Sequence, residues 1–290
     1  MSNFGIDVDP KIVRGLFPAL RQLSDQDIVS VFLDKFIDSG LPASPFTFKE
    51  NMIQFCNSLN GTAKLEVGPF DQPILQGEGV EYFDILDQEA LKQRAIEHKR
   101  DPSSVPFIHH VSDVGDLGVV SRSFDIVFSS HCIEHTPDLI THLQQVGALL
   151  TPNGAYYLVI PDKRYCFDFH LPETLLPEIL SAYHARRSSP SMDKVLEHRT
   201  MLAHNNALRH WMGDHGAAGE LKGDIENIKE AITEFQGADG YIDVHCWQFT
   251  PQSFVKLLQD LRSLDLIPFS SAAVNLTPFG RKDFTAVLTI

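Results

Sequence analysis

The spacing of apolar residues changes character twice along this chain. Residues 1–59 keep a near-helical period. Phe17, Leu20, Leu23, Ile28, Val31, Phe32, Lys35 and Phe36 trace one stripe, Phe48–Leu59 carries a second, and Pro42 and Pro45 separate them. From about residue 62 the runs shorten to strand length: Ala63–Val67, Val80–Phe83, Phe107–Val111, Phe124–Phe128 and the almost wholly apolar Ala155–Ile160. Helical stretches lie between them, polar over Leu86–Arg100 and amphipathic over Pro137–Leu150, the second closed by the turn Thr151-Pro152-Asn153-Gly154. Residues 163–246 lose the rhythm and show no clear strand. Thr250 then caps a helix with Pro251 at its first position and Phe254, Leu257, Leu258 and Leu261 along one face.

Strands alternating with helices predict an α/β fold with a doubly wound, mostly parallel sheet. A fully apolar fifth strand fits a central position covered on both faces. The last two strands, Ile267–Leu276 and Phe284–Ile290, are joined by too few residues for a parallel crossover, so the last one must run antiparallel. The expected organisation is an N-terminal helical segment (1–59), a seven-stranded domain made of 60–162 and 247–290, and a His-rich helical or loop insertion (163–246) acting as a lid over the acceptor.

Composition narrows the partners. With 24 Lys and Arg against 38 Asp and Glu the net charge is −14, and only small basic clusters occur, so nucleic acid is not an expected partner. No apolar run approaches the roughly 20 residues of a membrane span, and the start lacks the basic and apolar regions of a secretory signal. Four scattered cysteines, Cys56, Cys132, Cys166 and Cys246, form no CxxC pair, which reads as reduced thiols and a cytoplasmic location. A homodimer is compatible with all of this.

In such a sheet, ligands bind beyond the carboxyl ends of the strands. The first strand ends Leu65-Glu66-Val67-Gly68-Pro69-Phe70. Gly68 lets the backbone pass close to a ligand, and Glu66 is placed to meet an amino group. The second ends at Asp84, eighteen residues after Glu66, where an acid can accept both hydroxyls of a ribose.

This set resembles the class I S-adenosylmethionine-dependent methyltransferases, which have a Rossmann-like fold. The similarity is strongest to the small-molecule, type 11-like subset, over residues 62–165. The most specific part is Ser123-Phe-Asp-Ile-Val-Phe-Ser-Ser-His-Cys-Ile-Glu-His-Thr-Pro-Asp138, continued by Leu149-Leu150-Thr151-Pro152-Asn153-Gly154 and Tyr156-Tyr-Leu-Val-Ile-Pro-Asp162. The resemblance implies S-adenosylmethionine as cofactor, with Glu66, Gly68, Pro69 and Phe70 at its methionine end and Asp84 at the ribose. It puts Asp113 at the adenine edge and Ser130 and His131 near the sulfonium. Two departures stand out. Phe70 replaces a second glycine, and only eleven residues separate Gly68 from Val80, so the usual first helix must be a stub or absent. A dinucleotide enzyme would lose its pyrophosphate site with that helix; a cofactor without phosphate would not.

His131-Cys-Ile-Glu134-His135 also fits H-x-x-E-H, the inverted zinc-protease signature. That chemistry needs both histidines on one helix face, and a buried strand directly precedes this segment. The insertion is rich in histidine, including His204, His210 and His215, and closes with Asp243-Val244-His245-Cys246-Trp247. Its spacing matches no standard zinc pattern, so no metal is expected. Histidine suits a base that takes a proton during methyl transfer, with His131 first in order, then His135 and His245. Asp162, Lys163, Arg164 and Tyr165 at the end of the fifth strand, with His215, are the expected acceptor contacts. The function expected is methyl transfer to an oxygen or nitrogen of a small polar acceptor, such as a sugar or glycan unit. The alternative is a non-catalytic cofactor-binding scaffold that kept the fold.

Overall fold

The computed structural model describes residues 3–217, 225–238 and 240–290. In chain order its elements are β1 (Asn3–Ile6), α1 (Pro10–Leu16), α2 (Asp25–Lys35), α3 (Lys49–Ser58), β2 (Lys64–Val67), β3 (Val80–Asp84), α4 (Gln88–Glu97), β4 (His110–Val111), β5 (Phe124–Ser130), α5 (Leu139–Leu149) and β6 (Leu150–Pro161). They continue with α6 (Leu176–His184), α7 (Met192–Thr200), α8 (Ala207–Trp211), α9 (Ile225–Gly237), α10 (Pro251–Ser263), β7 (Ser271–Val274) and β8 (Asp283–Thr289).

The strands form one sheet in the order β1-β7-β8-β6-β5-β2-β3-β4. Every neighbouring pair is parallel except those of β8, which runs antiparallel to both β6 and β7. Winding proceeds from β2 to β3 and β4 on one side and resumes with β5 and β6 on the other. The carboxyl ends of β2 and β5 therefore flank the switch point, where a crevice must open. Among the described residues there are eight strands rather than the expected seven. The extra one, β1, lies in the segment read as helical and adds to β7 in parallel; four residues are too few to reveal a period of two.

Alternation along the strands sorts the two faces. Val127, Tyr156, Leu158 and Ile160 meet α5, α6 and α10 in the larger core, whereas Ile126, Phe128, Ala155, Tyr157 and Val159 meet Met52 and Cys56 of α3. Leu75, fully buried, completes the second cluster. Residues 68–79 form no helix, as their length and prolines require. The face that a first helix would cover is covered instead by α3 and this loop. Thr250 caps α10 by accepting the Ser253 N–H at 3.1 Å, and Phe254, Leu257, Leu258 and Leu261 are the buried stripe expected of it.

The insertion leaves the sheet at Asp162 and returns at Phe249, and these two pair in a single parallel bridge. Between them α6 joins the main core through Ile179 and Ala182. Helices α7 and α9 close a small core of their own with Val195, Ala231, Ile242 and Val244. None of the described helices is long and apolar enough to cross a membrane.

Candidate active site

A cavity of about 360 Å³ opens at the carboxyl ends of β2, β3 and β5. Gly68, Phe70, Asp84, Asp113, His131, Cys132 and His135 line it, with Leu91, Arg94 and His98 of α4 and its C-terminal end at one wall and Tyr241 and Asp243 of the insertion over it.

Backbone conformation explains the shape. Gly68 sits at φ +73, and a Cβ there would stand 3.2 Å from the Cys132 sulfur, so only glycine leaves this wall open. Phe70 and His131 also take left-handed conformations, at φ +45 and +50. Each costs of the order of 1 kcal/mol in a residue with a Cβ. At His131 the turn is held by its N–H donating to the Val159 carbonyl at 2.9 Å. At Phe70 the ring packs with Leu91 and Ala95, under the guanidinium groups of Arg94 and Arg100.

Asp84 is 7% exposed and accepts the Ile85 N–H at 2.7 Å. Burial pushes its pKa up, with bonds from neighbouring backbone N–H groups opposing. It lines the cavity where an acid for ribose was expected, and Asp113 lines it too.

Glu66 does other work. Its carboxylate accepts the N–H groups of Ile74 at 3.0 Å and Leu75 at 2.8 Å. It clamps the loop from below instead of lining the cavity, and burial raises its pKa to about 7 against those same bonds. Pro69 and Ser130 flank the cavity in sequence but are not part of its wall.

The residues after β5 form one tight 3-10 turn, Ile133–His135. His131 and His135 therefore never share a helix face, which removes the metallopeptidase geometry. The turn drives Glu134 into the interior instead: it is 0% exposed and neither carboxylate oxygen has a hydrogen-bond partner. Its carbonyl accepts the N–H groups of Cys246 at 2.7 Å and Trp247 at 3.2 Å, and the Trp247 indole donates to the Thr136 carbonyl at 2.6 Å. These bonds bring His245 alongside. His245 donates Nδ1–H to Asp168 at 2.6 Å. Burial alone would lower its pKa, but the Asp168 carboxylate outweighs it and the net shift is upward. His135 Nδ1 approaches Asp243 Oδ1 at 3.1 Å, out of line for a good hydrogen bond, yet His135 is the main reason the Asp243 carboxyl lies well below its usual range.

On the opposite side of the cavity, His131 Nε2 stands 3.3 Å from Asp283 Oδ2, which also takes the Lys49 ammonium at 2.7 Å. Burial would raise the pKa of Asp283, but His131 and Lys49 overcome it and bring the value to about 2.

The expected acceptor contacts are not brought to this cavity. Asp162 is fully buried, bonded to Thr277 and to Arg164, whose other arm reaches Asp38. The Lys163 ammonium donates to the Phe169 carbonyl, Tyr165 stacks on Trp211 at 3.9 Å, and His215 stacks on Phe169 at 3.7 Å. All five are committed within the protein. The wall residues that sequence reasoning missed are Arg94, Tyr241 and Cys132. The ion pair between Arg94 and Asp243 spans 149 positions and leaves no local pattern.

Residues 63–220 match a family of proteins described as a methyltransferase domain. No curated protein sequence matches the chain. Among solved structures, similarity is found to an S-adenosylmethionine-dependent methyltransferase from Clostridium acetobutylicum, at 14% identity over 51% of this chain and 62% of that one, TM-score 0.31. The trans-methyltransferase CalH in complex with SAH is matched at 16% identity over 96% of this chain and 63% of that one, TM-score 0.38. The DszA carbon methyltransferase is matched at 16% identity over 96% and 62%, also at 0.38. The chain thus spans less than two thirds of the length of these structures.

Proposed function

The chain belongs to the methyltransferase-domain family, and on that premise we propose that it moves a methyl group from S-adenosylmethionine to an oxygen or nitrogen of a small polar acceptor, a sugar or glycan unit being the first class to test. The observation that carries the reading is the buried Asp84 carboxylate at the edge of the cavity, at the end of the strand next to the one that leads into Gly68. A desolvated acid there fits the two hydroxyls of a ribose, with Asp113 at the far edge for the base. When bound, the cofactor supplies an electrophilic methyl on its sulfonium.

This chain's residues supply the remainder. His131 lines the cavity, and its ring is oriented by Asp283, which stays ionised because Lys49 anchors it. A carboxylate behind an imidazole fixes the tautomer and stabilises the imidazolium formed when the ring takes the acceptor's proton. His245, at 5% exposure, lies behind the wall and does not reach an acceptor.

Calorimetric titration with S-adenosylmethionine and S-adenosylhomocysteine tests the first part, and transfer to an acceptor panel the second. Both nucleosides should bind in the micromolar range or tighter. His131→Ala should lose about 10²–10⁴-fold in turnover while keeping cofactor affinity. Absence of binding by either nucleoside overturns the proposal.

A further inference from the structure

Glu134 is a carboxylate sealed from solvent with both oxygens unpartnered. A buried carboxyl group without a hydrogen-bond donor is unfavourable, and a cation bound beside it is one physical account of it. Its surroundings say where. His131 Nδ1 lies 3.6 Å from Glu134 Oε1, and His135 Nε2 and His245 Nε2 each lie 3.9 Å from the same oxygen. These separations exceed hydrogen-bond reach. Yet one ligand atom each from Glu134, His135 and His245 falls within a sphere of contacts no wider than 4.8 Å. An ion with bonds of about 2.0–2.2 Å holds its ligands roughly 3.3–3.5 Å apart, so a small inward movement closes the set.

The outer groups agree. His245 gives its Nδ1–H to Asp168, and its Nε2 lies 3.9 Å from Glu134 Oε1. His135 has Asp243 beside its Nδ1 and its Nε2 at 3.9 Å from the same oxygen. Carboxylates behind one ring nitrogen, with the other nitrogen near the shared site, are what metal-ligating histidines have.

We propose that Glu134, His135 and His245 bind a divalent transition-metal ion of the zinc class, with Asp168 and Asp243 orienting the two imidazoles. Two nitrogens and one oxygen favour such an ion over magnesium. His135 is shared with the cavity wall. Given methyl transfer from S-adenosylmethionine in this cavity, on which this last step rests, an ion held by these residues would lie beside the wall that His135 contributes and would lower the pKa of an acceptor hydroxyl that reached it.

The test uses the full chain stripped with a chelator and titrated with Zn²⁺ by calorimetry and with Co²⁺ by visible absorption. One equivalent per chain is expected, with Co²⁺ giving ligand-field bands that Zn²⁺ abolishes and Mg²⁺ does not. Glu134→Gln and His245→Ala should lose the site. Asp168→Asn, close in shape, should weaken binding about 10–100-fold, and the exposed His184→Ala should leave it unchanged. S-adenosylmethionine binding is measured on each as a check of folding. If the stripped chain takes up no stoichiometric metal, or if Glu134→Gln and Asp168→Asn titrate like the parent, the metal site is refuted while methyl transfer stands. Metal uptake without nucleoside binding overturns methyl transfer and leaves the metal site standing.

Discussion

Replacing Glu66 by Gln removes a titrating group from beneath the loop that stands in for the first helix, and the structure gives the size and sign of the effect on stability. Glu66 is 2% exposed and accepts three contacts from the amides of Ile74 and Leu75. Those donors favour the ionised form, burial favours the neutral one, and burial prevails, lifting the pKa from 4.5 to about 7. The folded state therefore holds this proton more tightly than the unfolded chain. The resulting stability is fully present below the unfolded pKa of 4.5 and is lost as pH rises through the folded value near 7. At about 1.4 kcal/mol per pH unit, the whole contribution is about 3 kcal/mol.

Other groups titrate over the same range, so the informative quantity is the difference between the parent chain and Glu66→Gln. Urea unfolding of both between about pH 4 and about pH 8 should show the parent's advantage shrinking by about 3 kcal/mol, with most of the loss between the two pKa values and a plateau above. Gln cannot titrate, and it keeps one acceptor oxygen for the loop amides. A difference that stays flat across this range would refute the reasoning, because it would mean that the clamp is ionised in both states and that the amides, not burial, dominate.

Asp84→Asn should weaken S-adenosylmethionine about 10–100-fold in a calorimetric titration, since Asn keeps one acceptor oxygen and one charge-assisted bond of about 1.5–3 kcal/mol is lost. Burial disfavours the charge in the free chain, so the thermal midpoint without ligand should not fall. Gly68→Ala forces a side chain into φ +73 and to within 3.2 Å of the Cys132 sulfur; a loss of about 1–2 kcal/mol in urea unfolding is expected, with weaker nucleoside binding. Asp283→Asn should lower turnover about 100-fold or more while leaving the KM for the cofactor near that of the parent, because it acts on the His131 ring and not on the nucleoside.

The parts of this fold that are local in sequence were legible. The alternation of short apolar runs and helices led to the doubly wound sheet. The rule that ligands sit beyond strand ends picked Gly68 and Asp84, and the resemblance picked Asp113 and His131; all four line one cavity. What escaped was set by distance or by brevity. Strand β1 is four residues long. Helices α7 and α9 bury only a few apolar side chains, in a core of their own, so the insertion read as helical or loop without their bounds. Asp162 and Arg164 had the position of acceptor contacts, and nothing local showed that Thr277 and Asp38 would claim them first.

The segment after β5 fits a metallopeptidase motif in its letters, while the strand directly before it already argued against the helix that motif needs, and the 3-10 turn found there has no such helix. That turn instead points Glu134 inward, where the carboxylate meets the returning end of the insertion. The Glu134 carbonyl holds the Cys246 and Trp247 amides and the Thr136 carbonyl holds the Trp247 indole, so His245 is placed jointly by the turn after β5 and by Asp168 and His198 of the insertion.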